Sequence, residues 1–125
     1  MEGTIIRGAF SVLEGSKIKL GAKIYGPTSV GPKCRIGGEV KNSIIQGYSN
    51  KSHDGYIGNS ILGEWVNLGA DTNCSNLKNT FSGAKVWDYE SGTLEVSGEV
   101  FIGACFGDYS KTGINTMINT GTVIG

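Results

Sequence analysis

Charge imbalance is missing from this 125-residue chain, in which 11 Lys and Arg are matched by 11 Asp and Glu. Without a basic surplus or basic clusters there is little to hold a phosphate backbone, so no nucleic-acid partner is expected. Long apolar runs are absent too, and no stretch reaches membrane-spanning length. The N-terminal "MEGTIIRGAF" has neither a basic n-region nor an apolar h-region, so no secretory leader and a cytoplasmic location are expected. Three cysteines (Cys34, Cys74, Cys105) form no CxxC pattern and read as free, mostly buried thiols. A single histidine, His53, cannot supply a three-histidine zinc site, and no metal is expected. Prolines number only two. The length suits one domain, residues 1–125.

Glycine is what the chain has in excess, 21 residues of 125. No G-x-y triplet persists, so collagen is excluded and repeated tight corners are implied. The corners have a period. Ile6, Val12, Ile18, Ile24, Val30 and Ile36 fall six residues apart, and four residues after each stands Phe10, Ser16, Ala22, Thr28, Cys34 or Val40. A second series reads Tyr56, Leu62, Leu68, Cys74, and a third reads Leu94, Val100, Phe106, Thr112, Ile118, Ile124. One aliphatic and one small residue per hexad is the signature of a hexapeptide β-helix. Each hexad makes a short strand and a corner, three make a triangular coil, and neighbouring coils bury one another's cores. An all-β solenoid of this kind is the predicted fold.

The series do not join in phase. Ile36 to Tyr56 is 20 residues, which reads as one coil plus two extra. Residues 79–93, "NTFSGAKVWDYESGT", carry no hexad pattern and hold Trp87 and Tyr89, so a loop projecting from a corner is predicted there. Residues one coil, 18 positions, apart should lie above one another, which stacks Lys23 under Lys41 on an outward face. Such a pair suits a phosphate or carboxylate, or is ordinary solvated surface. Glu39 lies two residues before Lys41. His53 and Tyr56 follow in the out-of-phase stretch, and Asn67 and Asn76 in the next coil. Solenoid geometry would gather these residues along one edge. By itself the histidine reads as a general base or as an incidental residue in a polar loop.

The stretch "EVKNSIIQGYSNKSHDGYIGNSILGEWVNLGADTNCSN" (Glu39–Asn76) resembles the acetyltransferase half of the bifunctional sugar-1-phosphate nucleotidyltransferase/acetyltransferases, which make UDP-N-acetylglucosamine. Their motif runs E-V-K, S-K-x-x-H-x-x-Y-[IL]-G-D, G-x-x-V-N-[IL]-G-A-G-T and a later N. "GDYSKTGINTMINTGTVIG" (Gly107–Gly125) is similar to the G-D-x-x-K-T-G-I-N segment of archaeal-type members. The resemblance implies a left-handed β-helix, a homotrimer, and acetyl-CoA as co-substrate with an amino-sugar 1-phosphate or nucleotide sugar as acceptor. It implies His53 as general base, which suits a reaction that must deprotonate an amine near neutral pH. It also implies Lys23, Glu39, Lys41, Tyr56 and Asn67 at the sugar phosphate, and Asn76, Lys78 and Ala104 at acetyl-CoA.

The chain departs from the pattern in four places. Lys23 stands where the family has arginine, which removes a bidentate fork. Asp71 replaces the glycine of G-A-G-T. Leu77 and Lys78 follow Asn76 where bacterial members place a tyrosine. No L-A-A-G-x-G-x-R-M nucleotidyltransferase loop is present, and the repeat rhythm runs to Gly125 without the further coils of relatives. The alternative that these departures support is a non-catalytic trimeric β-helix serving as a binding module.

Overall fold

A computed structural model of the chain describes residues 2–125. Strands of two to four residues alternate with corners, and no helix occurs among the described residues. Three parallel ladders form three faces. The first face stacks Ile5–Arg7, Lys23–Tyr25, Glu39–Lys41 and Tyr56–Gly58, and Asn73–Cys74 paired to Met117–Ile118 continues it. On the second lie Phe10–Val12, Thr28–Val30, Ile44–Ile45, Ile61–Leu62, Cys105–Phe106 and Val123–Ile124. Lys17–Ile18, Arg35–Ile36, Asn50–Lys51, Asn67–Leu68 and Lys111–Thr112 make the third. The solenoid is the expected left-handed β-helix.

One residue per strand points inward and stacks on its counterpart in the next coil. Ile24, Val40, Ile57 and Cys74 fill the first column, Val30, Ile45, Leu62 and Phe106 the second, and Ile36 and Leu68 the third, all of them buried. Corners interrupt the ladder, so their backbone groups need other partners. Small hydroxyl residues supply them. Buried Ser43 donates to the Lys41 carbonyl at 2.8 Å and accepts the Ser60 N–H at 3.2 Å. Ser49 donates to Gly63 at 2.7 Å and accepts from Val66 at 3.0 Å. Ser60 in turn accepts the Ala104 N–H at 3.0 Å. The requirement for a small residue at these positions is therefore steric and also one of hydrogen bonding.

The corner between the second and third faces places Lys33, Tyr48, Trp65 and Tyr109 at positive φ, between 55° and 64°. Such backbone disfavours bulky side chains. Stacking offsets part of that cost: the Tyr48 and Trp65 rings lie 4.7 Å apart and nearly parallel, with the Lys33 ammonium 5.7 Å from the Tyr48 ring centre.

Four sequence expectations are corrected here. The coil after Ile36 is shortened rather than extended: inward slots fall at Val40, Ile45 and Lys51, so Val30 to Ile45 spans 15 residues instead of 18. The register therefore pairs Lys23 with Glu39, and Tyr25 with Lys41, so the two lysines do not stack. In the next coil the inward residue is Ile57, fully buried, and Tyr56 faces outward. The projecting segment is longer than residues 79–93. It is closed at its base by the bridge Leu77–Phe101, and it folds as an antiparallel hairpin of Lys85–Asp88 and Thr93–Val96. Leu94 and Val100 thus belong to this excursion, 59% and 40% exposed, and the repeat resumes at Phe106.

Truncating the first-face core residue in Ile57→Ala is expected to destabilise the fold by about 2–5 kcal/mol, whereas Leu94→Ala should cost no more than about 0.5 kcal/mol. Urea unfolding of the two variants checks this, and equal losses would contradict the assignment of Leu94 outside the core.

Candidate functional site

The first face collects most of the chemically distinctive side chains. On a strand whose central residue points inward, both flanking residues point outward. Glu39 and Lys41 therefore flank Val40 on the same surface, and Lys23 and Tyr25 flank Ile24 beneath them. Tyr56 lies in register with Glu39 in the coil above. Its ring runs along its own strand over Gly58, where any Cβ would collide with the phenol, and that glycine leaves the room the ring needs.

Hydrogen bonds tie this surface together. Tyr25 donates its hydroxyl to the Glu39 carboxylate. That bond, with burial and the negative charge of Glu39, pushes the Tyr25 phenol up to about 12, so it stays a donor throughout the neutral range. Asn76, at the corner leaving this face, donates to the Tyr56 hydroxyl at 2.9 Å and to Asn59 at 2.8 Å. Burial, with the charge of Glu39, also raises the Tyr56 phenol. The Lys41 ammonium sits 6.0 Å from the Tyr25 ring centre and 5.6 Å from that of Phe101. Phe101 is brought there by the return arm of the projecting segment. Neither Tyr25 nor Phe101 figured among the sequence candidates. Tyr25 could have been found from the outward position two residues after Lys23, but Phe101 stood beside Val100 in a stretch read as regular repeat.

His53 occupies the exposed corner that leads from the third face into the first. The adjoining residues Asp54 and Gly55 line a groove of about 250 Å³ together with Lys23, Glu39, Tyr56 and Asn73. Asn67 is not on this surface. It lies on the third face, in register with Asn50 and Lys111, and accepts from Asn50 Nδ2 at 2.7 Å. Lys78 lines a different and larger cleft, about 820 Å³, between the hairpin and the last corner, alongside Lys85, Trp87 and Asn119. Ala104 is buried at a corner, beside a small apolar cavity of about 160 Å³ behind the hairpin. The structure thus unites Lys23, Glu39, Lys41, Tyr56 and Asn76 on one face with His53 at its edge. Asn67, Lys78 and Ala104 stand apart from them.

Sequence reasoning missed Lys51. It occupies an inward slot in register with Ile36, is 2% exposed, and donates from Nζ to the backbone carbonyl of His53. Burial pulls its ammonium down to about 8, with the carboxylates of Asp54 and Asp71 acting in the opposite direction. The cysteines offer no comparable reactivity, since burial pushes all three thiols up. No group of three or more His, Cys, Asp and Glu that could hold a metal ion occurs among the described residues. No helix there is long and apolar enough to cross a membrane.

No family model matches the chain. Curated relatives do. A bifunctional sugar-1-phosphate nucleotidylyltransferase/acetyltransferase of Sulfurisphaera tokodaii is 39% identical over 95 residues, covering 74% of this chain and 23% of the relative. The chain is homologous to the acetyltransferase part of these bifunctional proteins. The bifunctional protein GlmU of Synechococcus elongatus is 31% identical over 117 residues, 92% of this chain and 22% of that protein. That of Rippkaea orientalis is 37% identical over 75 residues, 54% of the chain and 17% of its own length. The chain therefore spans about a fifth of the length of these relatives.

The buried lysine gives the fold a pH signature. Between about pH 8 and the ordinary lysine value of 10.5, the unfolded chain holds a proton that the folded chain has released. The Lys51 contribution to stability should therefore rise with pH across that window and be lost as pH drops to about 8. The three thiols raised by burial act in the opposite sense from about pH 9. Above pH 10 the raised tyrosines also oppose the lysine, because the unfolded chain loses their protons first. Chemical unfolding of wild type and Lys51→Met from pH 7 to 10 should show the wild type gaining stability relative to the variant as pH rises. Parallel profiles would refute the assignment.

Proposed function

We propose that the chain is an acetyltransferase that moves an acetyl group from acetyl-CoA to the amine of an amino-sugar 1-phosphate or nucleotide sugar. The observation that carries this reading is the first-face surface. Lys23, a carboxylate held by Tyr25 and a phenol held by Asn76 meet at a groove that ends at the corner of the only histidine, with Lys41 further along the same face. The homology to the acetyltransferase part of the bifunctional relatives supports it.

In this mechanism Lys23 and Lys41 hold the sugar phosphate as point charges. Glu39 and Tyr56 take the sugar's amine and hydroxyl groups. The His53 imidazole removes a proton from the amine as the nitrogen attacks the thioester carbonyl. The C–S bond then breaks, the amide forms, and the proton ends on the departing coenzyme A thiol. Coenzyme A lies in the cleft beneath the hairpin, with Lys78 and Lys85 toward its phosphates and Trp87 as a stacking surface. Asn76, next in the chain to the Ser75 and Leu77 that line this cleft, marks where the acetyl group meets the sugar site. Asn67 lies on another face and enters the site only if a neighbouring copy presents it, as in a homotrimer. The outward-facing Ile44 and Ile61 of the second face and the exposed Trp87 are the surfaces such a neighbour would cover.

A thiol-release assay with acetyl-CoA and a panel of amino-sugar phosphates tests the reading. His53→Ala should lower turnover by about 10²–10⁴-fold. The Lys78→Ala, Lys85→Ala double variant should raise KM for acetyl-CoA with little change in kcat. Parent-rate turnover by His53→Ala would overturn the role of the base. Sugar-phosphate binding without any acetyl-CoA binding would favour the binding-module alternative. Light scattering at micromolar concentration should give three times the chain mass, and a monomer would contradict the trimer.

A further inference from the structure

We infer that Lys51 is a positioning residue for His53, a tether inside the solenoid that holds the histidine's corner by its backbone. This rests on the acetyltransferase reading for what His53 does, but the tether itself can be measured without turnover.

The third-face column shows why Lys51 is anomalous. Its neighbours at inward positions are Ile36 below and Leu68 above, and any aliphatic side chain would fill the slot without burying an amine. A lysine there needs a partner, and the partner is the His53 carbonyl, two residues along the chain. The adjacent carbonyls of the corner are held differently: Asp54 accepts the Asp71 N–H at 2.9 Å and Gly55 accepts the Glu39 N–H at 3.2 Å. The His53 carbonyl takes its hydrogen bond from inside the core instead.

The coil below has made room for this arrangement. Gly38 lies at φ +66°, and a Cβ there would come within 2.6 Å of the His53 carbonyl oxygen and 2.8 Å of Lys51 Nζ. The corner below and the tether are therefore mutually fitted. The ionisable groups around Nζ are Asp54 on its own corner and Asp71 on the corner above, while Gly37–Gly38 below contribute none. The hydrogen bond to the carbonyl inside keeps the amine pointed at the corner. With the backbone fixed at that carbonyl, the His53 side chain leaves a corner of defined shape.

The chain's single histidine makes the test direct, because its ring protons and carbons give one unobscured set of NMR signals. In wild type, the carbonyl-carbon signal of His53, the atom group that Lys51 binds, should show an inflection between pH 7 and 11 as Lys51 changes charge. Lys51→Met, which keeps length and apolar bulk, should remove that inflection and increase the mobility of the His53 ring. Its kcat for acetyl transfer should fall by about 10–100-fold with KM little changed. A His53 carbonyl signal that stays flat from pH 7 to 11 in wild type overturns the proposal, and this measurement does not depend on the variant folding. A folded Lys51→Met with wild-type ring mobility overturns it as well. Absence of turnover in a wild-type protein that shows the carbonyl inflection would instead sink the acetyltransferase reading and uphold the tether.

Discussion

The ladder of backbone hydrogen bonds between successive coils is the constraint on which the rest of this molecule depends. Each strand is only two to four residues long, and its peptide groups are satisfied almost entirely by the coils above and below. That arrangement fixes which residues can meet. Side chains become neighbours because their coils are in register, whatever their distance in the sequence. Moving one residue through the register exchanges an outward group for an inward one. The inward column must then be apolar and the corners must be small or hydroxyl-bearing, and those two demands account for the hexad rhythm.

Much of this was legible without coordinates. Ile6 to Ile36 repeats without a slip, and neither a helix nor a run of tight hairpins has that period. What was not legible is where the count fails. The coil holding Val40, Ile45 and Lys51 is short because it trims its corners, and shortened corners leave no mark in composition. Counting 18 residues forward from Lys23 lands on Lys41, while the structure puts Glu39 beside Lys23. Lys51 was hidden for a different reason: a lysine is the last residue type one would assign to an inward slot. Leu94 fell on the rhythm by chance within the hairpin, and Val100 within its return arm.

The irregular coils and the site coincide. In the regular first coils the outward positions are generic, but the shortened coil brings Glu39 over Lys23 and beside Tyr25, and the next coil seats Tyr56 over Glu39. The residues at this surface are therefore products of a register change, which a perfectly periodic solenoid would not produce. His53 sits on the corner that follows the shortened coil, where the core tether replaces a regular inter-coil bond. Local departures from the repeat assemble the candidate surface, and the regular coils provide its frame.

The hairpin has a consequence for how the chain folds. Through the middle of the solenoid a strand reaches its upper neighbour after 15–18 residues, but Leu62 meets Phe106 only after 44. Closing that longer loop costs about 0.8 kcal/mol more than closing an ordinary coil. In a molecule whose coils stabilise only their immediate neighbours, such a seam is a natural break in cooperativity. The coils from Cys105 onward are thus joined to the rest across the costliest closure between paired strands of the solenoid.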